Sequence, residues 1–183
     1  QINGGISNLG SISAANGVVI KGTAFASSGT SPSVNALNTS VVGVVTNFGT
    51  IIGSTGNGIH ISGQIATAGI YSATASAFLD GSINNSGYIS GSVGGIVIST
   101  NATVTGAINN SGVIYGGDYA VGILAASSLG GGFNNSGFIA GTNSAIKITS
   151  SFITGGLTNS GFIVGNTNAI EINRTTLSGG VFN

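Results

Sequence analysis

Seven side chains in this chain could act as an acid, a base or a fixed charge near neutral pH: Asp80, Asp118, Glu171, Lys21, Lys147, Arg174 and the single histidine, His60. Glycoside hydrolysis needs two carboxylates facing each other across one bond. The three acids here fall in different copies of an internal repeat, without a partner in the repeat register, and are expected to be isolated surface carboxylates. One histidine and no cysteine cannot make a zinc site. Gly116-Gly117-Asp118 and Gly130-Gly131-Gly132 lack the Lys-Ser/Thr that follows a phosphate loop, and fit corner glycines instead. No catalysis and no cofactor are expected. The six full charges sum to zero, so there is no basic footprint for nucleic acid or for an anionic membrane surface. No apolar run approaches the roughly 18 residues of a membrane helix, so membrane insertion is not expected.

The elements that position these groups follow from a repeat. An apolar residue, Gly, apolar, Asn, Gly and Ile recur at alternate positions. One copy is Leu79, Gly81, Ile83, Asn85, Gly87, Ile89, and the next is Val104, Gly106, Ile108, Asn110, Gly112, Ile114. The asparagines mark six complete copies, at Asn8, Asn47, Asn85, Asn110, Asn135 and Asn159, and the chain ends partway through a seventh at Asn183. Each complete copy is followed by two apolar residues one apart, such as Ile96/Ile98 and Ile146/Ile148. Fixed positions of one parity all face one side of a strand, whereas i, i+2, i+4 cannot share a helix face. Hydrophobic residues make up 41% of the chain, which excludes a disordered linker, and Pro32 is the only proline. Single copies cannot bury their apolar face, so they must stack, at about 4.8 Å per coil. The expected fold is all-β: one parallel β-solenoid over 1–183, a right-handed β-helix of about six coils of 24–25 residues, each of three short strands. The inward asparagines are expected to form a hydrogen-bonded structural ladder through all six coils.

The segments Ile83-Asn84-Asn85-Ser86-Gly87-Tyr88-Ile89, Ile108-Asn109-Asn110-Ser111-Gly112-Val113-Ile114 and Leu157-Thr158-Asn159-Ser160-Gly161-Phe162-Ile163 resemble passenger repeats of autotransporters (type V secretion), and are similar to those of filamentous-haemagglutinin-like surface adhesins. The resemblance covers nearly the whole chain outside two insertions. It implies an extracellular, cell-surface β-helical stalk of a Gram-negative bacterium, with a structural or adhesive role. The chain contains no cysteine, which suits a protein that crosses an oxidising compartment unfolded. Its start at Gln1, without a leader pattern, is expected of a processed or excised segment.

The first two repeat spacings are longer than the rest, at 39 and 38 residues, which places insertions at about 21–40 and 62–78. They leave the same corner of consecutive coils and are expected side by side. Loops on a repeat scaffold often carry binding, so Phe25 and Tyr71 are candidate residues of a ligand lip, and a carbohydrate-binding module for surface glycans is the second functional expectation. His60, between Ile59 and Ile61, is expected to be a solvated surface residue. Lys147 and Glu171, at equivalent places in adjacent coils, should pair. Neither terminus shows a cap, so the segment is expected either to come from a longer array or to self-associate through its ends into a head-to-tail filament.

Overall fold

The computed structural model describes residues 1–183 and is a parallel β-solenoid without helices. One coil runs through four short strands, Ala77–Asp80, Ile83–Asn85, Tyr88–Gly91 and Gly94–Ser99. Equivalent strands stack in parallel into four sheets, the first two of seven strands and the last two of six. Six coils are therefore complete and a seventh is half present. The expected three strands per coil become four because both motif glycines are corners. Gly81 separates the first strand from the second, and Gly87 the second from the third. The motif itself thus spans three sheets, and the Ile96/Ile98 pair adds the fourth.

Register is strict. Ile12, Ile51, Ile89, Ile114, Ile139 and Ile163 are Cα partners in successive coils. Ile51, Ile89, Ile114 and Ile139 are buried within one continuous core of Ile, Val, Leu and Ala. Burial of such columns is the main stabilising term, and no single coil could achieve it alone. At Gly112 a side chain would strike the carbonyl of Gly87 in the coil before, so the corner admits only glycine at this closeness.

The corner from the fourth sheet back to the first is turned in later coils by left-handed residues that are not glycine, including Thr100, Asn101, Ala125, Ala126, Ser150 and Arg174. A left-handed conformation costs such residues roughly 1–2 kcal/mol each, which the stacked coils on both sides must impose. In the first two coils that corner is replaced by the insertions. Each is an antiparallel hairpin, Thr23–Ser27 with Ser33–Leu37, and Gln64–Ala68 with Tyr71–Ala75. The second closes through two residues, with Gly69 at φ +63°, as a type II′ turn requires at its first central position. The hairpins lie side by side as expected, and their apolar contact is made of alanines, Ala24, Ala73 and Ala75, flanked by Ala26 and Ala66, while Ala24 N–H donates to Gln64 Oε1 at 3.3 Å. Such small side chains let two ribbons approach more closely than the about 10 Å of ordinary stacked sheets.

Candidate functional site

The inner asparagine column is continuous. Each Nδ2 donates to Oδ1 of the next coil: Asn8 to Asn47, Asn47 to Asn85 and Asn85 to Asn110 at 2.8 Å, then Asn110 to Asn135 at 2.7 Å and Asn135 to Asn159 at 2.8 Å. Asn159 continues it to Asn183 at 2.7 Å. The second amide hydrogen of each is directed to corner carbonyls, for Asn110 those of Gly112 and Phe138. Asn8, Asn47, Asn85, Asn110 and Asn135 are buried, so these bonds remove a desolvation penalty of about 1–3 kcal/mol per amide.

An outer ladder runs beside the inner one in the opposite sense. Asn134 donates to Asn109 at 2.9 Å, and Asn109 to Asn84 at 2.8 Å. Between this ridge and the serines Ser86, Ser111 and Ser136 lies an uncharged groove of about 430 Å³.

The acids stand apart. Asp80, at the end of a first-sheet strand, accepts a hydrogen bond from Thr105 Oγ1 at 2.8 Å. Asp118 occupies the corner between the third and fourth sheets, beside Tyr119, whose pKa is raised by its own burial and then by the charge of Asp118. Glu171 lies on the fourth sheet, 3.4 Å from Lys147 Nζ and within hydrogen-bonding distance of Ser144 Oγ at 2.8 Å. The Lys147–Glu171 pair expected from register is therefore present, and being partly exposed it contributes about 0–1 kcal/mol.

Phe25 and Tyr71 are not brought together. Phe25 is exposed, at the opposite parity to Ala24 on its strand and so away from the alanine contact. Tyr71 shares the parity of Ala73 and Ala75, and neither aromatic lines a groove.

His60 differs from the expectation of a solvated residue. It does point away from the core, between the buried Ile59 and Ile61, but it is only partly exposed. It lines a groove of about 590 Å³ at the root of the hairpins, with Asn16, Lys21, Asn57, Gln64 and Ser99. Its Nε2 lies 3.2 Å from Ser99 Oγ. Burial, and then the charge of Lys21, hold its pKa below the ordinary value of about 6.5. Asn57 is buried, its N–H donates to Asn16 Oδ1 at 2.9 Å, and its own Oδ1 has no hydrogen-bond partner. Sequence position placed His60 on the outer face, but the walls of this groove come from residues as far apart as Asn16 and Thr100, which only the register and the second hairpin bring together. The chain matches no family model, no curated protein and no solved structure.

Proposed function

We propose that this chain is an extracellular structural and adhesive β-solenoid, a non-catalytic length of surface shaft from a Gram-negative bacterium that stacks through its end coils. The observation that carries this reading is the unbroken asparagine column, which makes every coil a template for the next. The likeness of the repeats to autotransporter passengers supports the cell-surface assignment. The direction of the ladder supports end-to-end stacking. Every amide donates toward the following coil, so the column has one direction that a further coil in the same register extends. A second copy stacked in the same register would continue the column, and a heterologous contact of this kind grows into an open string.

Electron micrographs of the purified segment at increasing concentration test the reading. Rods about 30 Å long should join end to end, and Val181→Lys should leave single rods. Rods that stay single at every concentration would overturn the stacking. Compact round particles would overturn the shaft. A second reading, a carbohydrate-binding module built on the insertions, is favoured by the groove at the hairpin root.

A further inference from the structure

We infer that the uncharged groove beside the outer asparagine ladder binds a neutral, extended polysaccharide, its hydroxyls held between the amides of Asn84, Asn109 and Asn134 and the hydroxyls of Ser86, Ser111 and Ser136, with a ring face on Phe48. A ligand of this class is what the adhesive role of the shaft would hold, and its assignment rests on that role.

The two walls of the groove differ in what they offer. Asn109 and Asn134 each place one amide hydrogen in the outer ladder, which leaves the second free to donate. On the other wall the hydroxyls of Ser86, Ser111 and Ser136 already donate, to the carbonyls of Asn47, Asn85 and Asn110 at 3.4 Å. Toward a ligand these oxygens accept. Asn134 and the three serines are exposed, and Asn84 and Asn109 are half-buried, so all six reach solvent. Donors on one side and acceptors on the other recur in each coil. A hydroxyl serves both, because it accepts from an amide and donates to a serine oxygen. A carboxylate has no proton to give, an ammonium has no lone pair, and no charged residue lines the groove to hold either.

Length points to a chain. The groove runs from Thr46 and Phe48 to Thr158 and Ser160, about 19 Å at about 4.8 Å per coil. A single sugar fills one step of it, and an extended polymer fills them all. A peptide strand finds no edge here, since the strands behind the groove are already paired on both sides. Nucleic acid finds no cation to displace its counterions. Phe48 departs from the repeat at one end of the groove. The residue after the inner asparagine is Ser86, Ser111, Ser136 or Ser160 in the coils that follow. Here it is a phenylalanine that lines the groove, 59% exposed and outside the core. Its electron-rich ring face attracts the C–H groups on the flat side of a sugar ring.

Calorimetric titration with cellohexaose and chitohexaose, both neutral and extended, tests the assignment. At least one should bind saturably, and its disaccharide should bind at least about tenfold more weakly, a loss of about 1.4 kcal/mol. Maltohexaose, a curved chain of the same sugar as cellohexaose, should also bind at least about tenfold more weakly. Phe48→Ser gives this coil the residue of its neighbours and should weaken the hexasaccharide at least about tenfold. Asn109→Thr introduces the residue that Thr46 and Thr158 already supply in the same column, and should weaken it about threefold, as one lost hydrogen bond does. Both variants should keep the circular dichroism of the parent. Phe25→Ser, which removes an equally exposed aromatic on the first hairpin, should leave binding unchanged. Failure of both hexasaccharides to bind would overturn the inference. So would equal binding by the disaccharide or by maltohexaose. An affinity that either groove variant leaves unchanged would place the glycan elsewhere, the hairpin root included, and overturn it too. An uncharged Asn- and Ser-rich peptide that bound as tightly would replace the glycan with a protein partner. Neither variant lies in an end coil, so the joining of rods in electron micrographs stands or falls separately from the groove.

Discussion

Replacing Asn110 by Leu removes one rung of the inner ladder while keeping four heavy atoms in the side chain. Two ladder bonds disappear, the one Asn110 accepts from Asn85 at 2.8 Å and the one it donates to Asn135 at 2.7 Å, together with the bonds of Asn110 Nδ2 to the carbonyls of Gly112 and Phe138 at 3.1 and 3.4 Å. The neighbours are not wholly orphaned. Asn85 Nδ2 keeps the carbonyls of Gly87 and Val113 at 3.2 and 3.1 Å, and Asn135 Oδ1 keeps the N–H of Gly137 at 3.2 Å. The ladder's share of the cost is therefore the net worth of two hydrogen bonds, about 2 kcal/mol at about 1 kcal/mol each, and not the full penalty of two abandoned buried groups, and the lost corner bonds add to it. Asn85→Leu should cost the same, since it also breaks two rungs, to Asn47 and to Asn110. The double substitution breaks three rungs in all, because one is shared. Its ladder share should be about 3 kcal/mol, and because the corner bonds cancel in a double-mutant cycle, the cycle should return a coupling of about 1 kcal/mol. Urea unfolding followed by far-UV circular dichroism and by tyrosine fluorescence supplies the four free energies, provided the two probes coincide. A single substitution costing under about 0.5 kcal/mol, or two costs that add within the usual scatter, would refute the ladder as a stabilising chain.

Ile114→Ala opens a cavity between Ile89 and Ile139 in a fully buried column, and should cost about 2–5 kcal/mol in the same urea assay. Stability should fall on acidification below about pH 6.5. His60 has a lowered folded pKa, so its neutral form favours the fold above the unfolded value, and that contribution is lost as pH drops toward the folded one. His60→Gln should flatten that part of a pH–stability profile. Ala73→Leu should overpack the alanine contact, at about 1–3 kcal/mol locally. Limited proteolysis should then cut within 64–75 sooner than in the parent, while the coils retain their circular dichroism.

The ladder was legible because its residues share one parity and one spacing, so alternation alone put them on one side of every strand. The coil count and the extent of the insertions followed from the same periodicity. The fourth strand was less visible because two corner glycines sit inside the motif, and a glycine does not announce how sharply the chain bends there. The hairpins were read as insertions rather than strands. Their contact is made by Ala24, Ala73 and Ala75, and alanine lacks the β-branched signature by which a strand is recognised. Phe25 and Tyr71 attracted notice as aromatics, yet strand alternation sets them at opposite parities relative to that contact. The groove around His60 depends on Asn16, Gln64 and Ser99, which no local pattern links.

The coil has a mechanical consequence. Backbone hydrogen bonds between coils run along the long axis, so tension applied to the two chain ends opens them in turn from whichever end yields. A coil that occupied about 4.8 Å of axis holds 24–25 residues, and once peeled away these span roughly 80 Å of slack at about 3.3 Å each. The two hairpin-bearing coils, at 39 and 38 residues, release roughly 125 Å apiece on the same rise. A solenoid of this construction therefore meets a pull with a series of separate yields, each lengthening the chain manyfold while the coils still stacked keep their shape.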